Sequence, residues 1–166
     1  MPQPNFCPQC ASPLVLGRAG GRERLVCSKA CGYVFWNNPL PVVGAIVEYD
    51  NDTVVLVRSH GWPAGWFGIV TGFLEKDEEP DEAVLREVKE EIGLDAEIVE
   101  RLGIYTFYQR NELIITYHVR ASGTIRLDEE ELQAYKIVPI ADIRPWPFGT
   151  GPALKAWKEK RLATGT

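Results

Sequence analysis

A helix carrying Glu87, Glu90 and Glu91 must put three carboxylates on one face, and no other feature constrains this chain as strongly. Residues spaced i, i+3 and i+4 meet on a helix surface, where like charges destabilise by about 0.2–0.5 kcal/mol per pair. The segment signals a helix in its own right. Pro80 falls in its first turn, Asp81 and Glu82 follow, and Gly93 stands just past its end. Val84, Val88 and Ile92, with Leu85 beside them, form an apolar stripe suited to packing on a sheet. The carboxylates lie on a second face, where Arg86 and Lys89 offset part of their repulsion. A hard cation such as Mg²⁺ or Mn²⁺ would offset more, because it prefers carboxylate oxygens. The ordinary alternative is a solvated acidic face.

Around this helix the pattern is that of a compact α/β unit. Val42 to Tyr49 and Thr53 to Arg58 read as a hairpin across the turn residues Asp50-Asn51-Asp52. His60 to Gly65 reads as a loop and Trp66 to Thr71 as a short strand. Ile98 to Tyr108, Glu112 to Ala121 and Tyr135 to Pro139 read as further strands, and Gly151 to Arg161 as a final helix. Strands with one central and one terminal helix suggest a mixed sheet between helices. Composition shifts near residue 38, where Pro39-Leu40-Pro41 forms a stiff junction. The expected division is therefore 1–38 and 39–166.

The 166 residues are 45% hydrophobic and carry a net charge of −5. That balance argues against nonspecific binding to a nucleic acid backbone, so nucleic acid is not an expected partner. It leaves a phosphate substrate open, since a metal can supply positive charge locally. No apolar run reaches membrane-spanning length, and Met1-Pro2-Gln3-Pro4-Asn5 does not begin a signal peptide. The expectation is a cytoplasmic protein with no membrane association.

The residues flanking the helix sharpen its reading. Gly72, Glu78, Arg86, Glu87, Val88, Glu90, Glu91, Gly93 and Leu94 fill every constrained position of Gly-x5-Glu-x7-Arg-Glu-U-x-Glu-Glu-x-Gly-U, where U is a bulky aliphatic. A chance match at one start point is on the order of 10⁻⁹ to 10⁻¹⁰ at average residue usage. The segment resembles the Nudix box. The resemblance implies a Nudix α/β/α sandwich and hydrolysis of a nucleoside diphosphate linked to another group, releasing a nucleoside monophosphate. It implies that Glu87, Glu90 and Glu91 bind catalytic Mg²⁺ or Mn²⁺ and that Glu78 helps hold the metal or its water. Arg86 would orient a carboxylate, and Gly72 would let the backbone turn close to the metal and substrate. Glu91 or a downstream loop residue is the expected base. Asp77 stands where many such boxes carry Gly.

Cys7-Pro8-Gln9-Cys10 and Cys27-Ser28-Lys29-Ala30-Cys31 form two cysteine knuckles that resemble a zinc ribbon. Four thiolates would close a structural Zn²⁺ site, and disulfides are the alternative. A ribbon directly before such a domain resembles the NADH pyrophosphatase group. Gly72-Phe73-Leu74-Glu75, Asp128 to Leu132 and Phe148 to Ala153 fit that comparison. It implies that Glu131 joins the metal site and that the protein forms a homodimer.

One departure is plain. The group's NAD(H)-selecting Ser-Gln-Pro-Trp-Pro-Phe-Pro should follow the box, where this chain has Tyr105-Thr106-Phe107-Tyr108-Gln109-Arg110-Asn111. Pro145-Trp146-Pro147-Phe148 lies too late and reads as packing groups. Trp66, Phe107, Tyr108 and Phe35 are candidates to stack on a base, with core packing as the alternative. His60 and His118 have no ligand-spaced partner. The small-molecule substrate is expected in the NADH, FAD or ADP-ribose class. The competing reading is a module that senses a nucleotide or ADP-ribose and uses its ribbon to dock a partner.

Overall fold

A computed structural model describes residues 3–50 and 52–164. Asn51, at the centre of the expected hairpin turn, and Met1 and Pro2 of the N-terminus lie outside the described residues. The chain divides into two compact units, Met1–Pro39 and Leu40–Thr166.

The first unit carries a three-stranded antiparallel sheet of β1 (Leu14–Ala19), β2 (Arg22–Cys27) and β3 (Val34–Phe35). No strands are expected here from the sequence. The overlooked signal is Gly20-Gly21. Both take positive φ, +57° and +75°, and close a two-residue hairpin between the paired Ala19 and Arg22. Of this unit's described residues, Cys7, Ser12 and Cys27 are the buried ones. A sheet this small has almost no apolar core, so its stability must come from the cysteine cluster.

The second unit contains β4 (Leu40–Tyr49), β5 (Thr53–Ser59), β6 (Val70–Phe73), α1 (Pro80–Ile92), β7 (Ala96–Phe107), β8 (Glu112–Ala121), β9 (Leu132–Pro139) and α2 (Gly151–Thr164). The sheet runs β7-β8-β4-β5-β9, with β6 also paired to β4. Strands β4 and β8 are parallel and the other pairs antiparallel, so the sheet is mixed. Period-2 alternation along β4 serves two cores. Val43, Ala45 and Val47 pack with Val84, Val88 and Ile92 of α1. Ile46 packs on the opposite side with Leu154 and Trp157 of α2. The result is the expected sandwich of a mixed sheet between helices.

Helix α1 exists because of its stripe. Val84, Val88 and Ile92 are fully buried, worth about 1.5–3 kcal/mol each. That outweighs carboxylate repulsion of about 0.2–0.5 kcal/mol per pair. Gly93 ends the helix at φ +73°, its N–H donating to Lys89 O at 3.0 Å.

The strand expected at Trp66 to Thr71 is displaced toward β6. Gly68 makes a bridge with Val57, while Trp66 and Phe67 line a cavity rather than continuing the ladder.

Candidate active site

Strand β6 and helix α1 place the box residues against one another. Gly72 pairs with Val43 of β4. A Cβ at Gly72 would stand 1.8 Å from Glu87 Cδ, so the Glu87 carboxylate fills the space that any side chain there would need. Glu87 and Glu91 are buried beneath β6, 8% and 6% exposed.

Arg86 organises the acidic groups. Its Nε donates to Glu78 Oε1 at 2.7 Å and its Nη2 to Glu78 Oε2 at 3.0 Å. Its Nη1 donates to Glu87 Oε1 and Glu90 Oε2, each at 2.8 Å. Nη2 also reaches the Phe73 carbonyl at 3.2 Å. The guanidinium is held above its usual range, chiefly by Glu78, and holds the Glu78 carboxyl below its own. Glu78 also accepts from the Glu75 backbone N–H. Both Glu78 oxygens are thus engaged by the protein. Glu90 turns outward toward Arg86, with its side chain 58% exposed.

Glu91 differs from the others. Its Oε2 is buried without a hydrogen-bond partner among the described residues. Burial pushes its carboxyl up to about 8, and the charges of Glu87, Glu131 and Asp128 push the same way against a Thr71 backbone bond. Burial likewise lifts Glu87, opposed by Arg86. The turn carrying Glu131 is tied to this end of α1, since Asp128 N–H donates to Glu91 O at 2.9 Å. His60 secures that turn, with its N–H on Glu131 O and its ring on Glu129 O. Hard carboxylate oxygens, one of them buried, form a donor set that fits Mg²⁺ or Mn²⁺. These oxygens are not gathered as tightly as the thiols. Among the described residues, only the cysteine cluster places all its ligand atoms within 4.8 Å of one another.

In that cluster Cys7 Sγ lies 3.5 Å from Cys31 Sγ, and Cys10 Sγ lies 3.4 Å from Cys27 Sγ. Both distances are too long for a disulfide, and all four cysteines are free. A tetrahedral ion with Zn–S bonds of about 2.3 Å implies sulfurs about 3.8 Å apart, close to this arrangement. A hydrogen bond from Ser12 brings the Cys10 thiol down to about 6, toward the thiolate a metal needs.

On the sheet face opposite α1, a cavity of about 610 Å³ opens in the second unit. Trp66, Phe107 and Phe148 share one wall. The Phe148 ring lies 6.0 Å from Phe107, near-parallel at 24°, and 6.1 Å from Trp66. Trp146 lines the cavity while packing against the α2 core. Reading Trp146 and Phe148 as packing groups thus missed their place on the cavity. The cavity also reaches Thr71, whose backbone contacts Glu91. Tyr108 is not in the lining and is 84% exposed. Phe35 belongs to the first unit, in register with Leu25.

His118 is buried and structural. Its Nε2 lies 2.7 Å from Glu48 Oε2, and Arg161 Nη2 of α2 donates to Glu48 Oε1 at 2.9 Å. Burial opposes the Glu48 charge, but Arg161 and His118 hold the carboxyl below its ordinary value. Burial lowers His118, which favours a neutral ring donating to a charged carboxylate.

Comparison with known proteins agrees with both units. The family model for the NUDIX domain matches residues 38–157, and that for the Nudix N-terminal zinc ribbon matches residues 5–37. The chain is 24% identical over 145 residues to the NAD-capped RNA hydrolase NudC of Pseudomonas putida, covering 87% of this chain and 51% of that protein. It is 35% identical over 79 residues to an ADP-ribose pyrophosphatase of Methanocaldococcus jannaschii, covering 48% of this chain and 47% of that protein. The chain spans about half the length of the curated relatives it matches. A crystal structure of a NUDIX hydrolase from Nitrosomonas europaea shares the fold, with a TM-score of 0.78 at 24% identity, covering 96% of this chain and 93% of that one.

Proposed function

Because the chain belongs to the NUDIX family, we propose that it is a divalent-metal-dependent hydrolase cleaving the pyrophosphate bond of a dinucleotide or nucleoside-diphosphate derivative, with release of a nucleoside monophosphate. The observation that carries this reading is the buried, unpartnered Glu91 oxygen beside Glu87. Among the described residues no group hydrogen-bonds to this oxygen, and a cation would satisfy it. A bound Mg²⁺ or Mn²⁺ would neutralise phosphate oxygens and make water a better nucleophile.

In this reading Glu87, Glu90 and Glu91 hold the metal, with Glu131 approaching from its turn. Glu78 acts by fixing Arg86, because both its oxygens are committed there. Arg86 then presents Glu87 and Glu90. Glu91 or a residue of the downstream loop would take the proton from water. Trp66, Phe107 and Phe148 offer the surface on which a base would stack.

We assign residues 1–38 to a ribbon closed by structural Zn²⁺ and residues 39–166 to the hydrolase. Relatives named for NAD-capped RNA and for ADP-ribose support a nucleoside-diphosphate linkage and keep a nucleotide attached to RNA within the class. A homodimer and a cytoplasmic location are part of this proposal. Sedimentation tests the former and fractionation the latter. The activity is tested with NADH, FAD, ADP-ribose, diadenosine polyphosphates and nucleoside triphosphates, each with Mg²⁺ and Mn²⁺. Release of a nucleoside monophosphate from the first three classes is expected. Tight binding without turnover in either metal would make the protein a nucleotide sensor instead.

A further inference from the structure

Of the charged residues that line the large cavity, Arg110, Glu112, Lys136, Asp142 and Arg144, Glu112 is the buried one, and it has no part in the metal site. Glu112, the first residue of β8, lines the cavity and is 6% exposed. It is paired across the β7–β8 ladder with Phe107, and directly paired residues project to the same sheet face. The carboxylate therefore stands beside the aromatic wall. The tight turn from β7 into β8, with Asn111 at φ +53°, returns Arg110 to Glu112, Nε to Oε1 at 2.9 Å. That pair keeps a carboxylate in a cavity also lined by Val42, Ile69 and Ile114.

Burying a carboxylate is costly, and a single arginine on a surface turn compensates it only in part. Burial does lift the Glu112 carboxyl above its ordinary range. A hydrogen-bond acceptor beside a stacking surface is the arrangement that reads the edge of a nucleobase. Rings supply affinity for any base, because every base has a π-face. An ionised carboxylate accepts hydrogen bonds and donates none, so it favours amines and disfavours carbonyls.

We propose that Glu112 reads the edge of a base stacked on the Trp66–Phe148–Phe107 wall and selects nucleotides whose base carries an exocyclic amine over their keto counterparts. This rests on the reading of the cavity as the nucleotide site. A carbonyl facing Glu112 would set an acceptor against an acceptor, and preferences on the order of tenfold to a hundredfold accompany such a mismatch.

The test uses matched pairs in which the exocyclic amine is replaced by a carbonyl and the neighbouring ring nitrogen gains a proton. AMP against IMP and CMP against UMP are titrated calorimetrically into the full chain, and hydrolysis of ADP-ribose is compared with that of its hypoxanthine analogue. The wild type should prefer the amine in both pairs. Glu112→Gln should bring each pair near parity, because an amide can donate as well as accept. Glu112→Asp keeps the acceptors and should keep the preference at weaker affinity, which covers the case in which the amide variant does not fold. Phe148→Ala should weaken all four ligands without changing the ratios. Equal affinities in the wild type, no binding of any monophosphate, or a preference that survives in Glu112→Gln would overturn the inference. Loss of turnover alone would count against the hydrolase reading, while the binding ratios still decide this one.

Discussion

The Glu87 carboxylate stands where a side chain at Gly72 would be, its Cδ 1.8 Å from the position of a Cβ. Strand β6 and helix α1 approach that closely because one residue of the pair has no side chain. An alanine at Gly72 must displace Glu87 or part β6 from α1. Gly72→Ala should lose at least about 1–3 kcal/mol of stability, in the range of overpacked cores. It should lose catalysis more completely than stability. Urea unfolding checks the first and initial rates with saturating metal check the second. Full activity in a folded Gly72→Ala variant would contradict this geometry.

Arg86 spans Glu78, Glu87 and Glu90 with a planar fork that a lysine cannot reproduce. Arg86→Lys keeps the charge but frees at least one of these carboxylates. The expected result is a fall in kcat of roughly tenfold to a hundredfold, as for groups that orient metal ligands. The metal concentration at half-maximal activity should rise as well. Steady-state kinetics across a Mg²⁺ series separate the two effects.

Glu91 gives the metal-free protein a pH dependence of definite sign. Its carboxyl lies near 8 in the folded chain against an ordinary 4.5, so the folded state holds this proton more tightly than the unfolded chain does. Its contribution is fully present below the ordinary value and is lost as pH rises through about 8. With chelator present, the wild type should lose stability relative to Glu91→Gln across that window, and apparent Mg²⁺ affinity should rise with pH. Thermal melts from pH 5 to 8.5 provide the comparison. Parallel curves for the two proteins would remove Glu91 as the titrating group.

Cys7 and Cys27, two of the four clustered cysteines, are with Ser12 the buried residues among those described in the first unit. Purified protein should release one Zn²⁺ per chain when its thiols are modified, as measured with a colorimetric chelator. Cys27→Ser should lose that zinc. In hydrogen exchange, β1 and β2 should lose protection in this variant while β4 and β8 retain theirs.

What could be read from the sequence was local. Gly72 to Leu94 is legible because a helix fixes the relations among Glu87, Glu90 and Glu91, and because Val84, Val88 and Ile92 declare the buried face. The ribbon cysteines are legible because ligand spacing is local too. What could not be read depends on distant pairing. Phe148 meets Phe107 only after β7 and the segment before α2 have folded onto one sheet face. His118 reads as solitary, yet the parallel pairing of β4 with β8 brings it to Glu48, and α2 adds Arg161. Tyr108 follows Phe107 directly and still lies outside the cavity, because the chain turns there. Asp77 shows the reverse case. Its φ of +63° explains a glycine preference in such boxes, and a short polar side chain tolerates that conformation.

In the proposed function the buried Glu91 carboxylate serves a divalent cation in pyrophosphate cleavage. The most direct measurement compares wild type and Glu91→Gln for Mg²⁺-dependent nucleoside monophosphate release from ADP-ribose, alongside substrate binding by each. The variant is expected to fold, to bind substrate comparably and to lose turnover by several orders of magnitude. Turnover by Glu91→Gln at the wild-type rate, or a wild-type rate unchanged by removing all divalent metal, would contradict it.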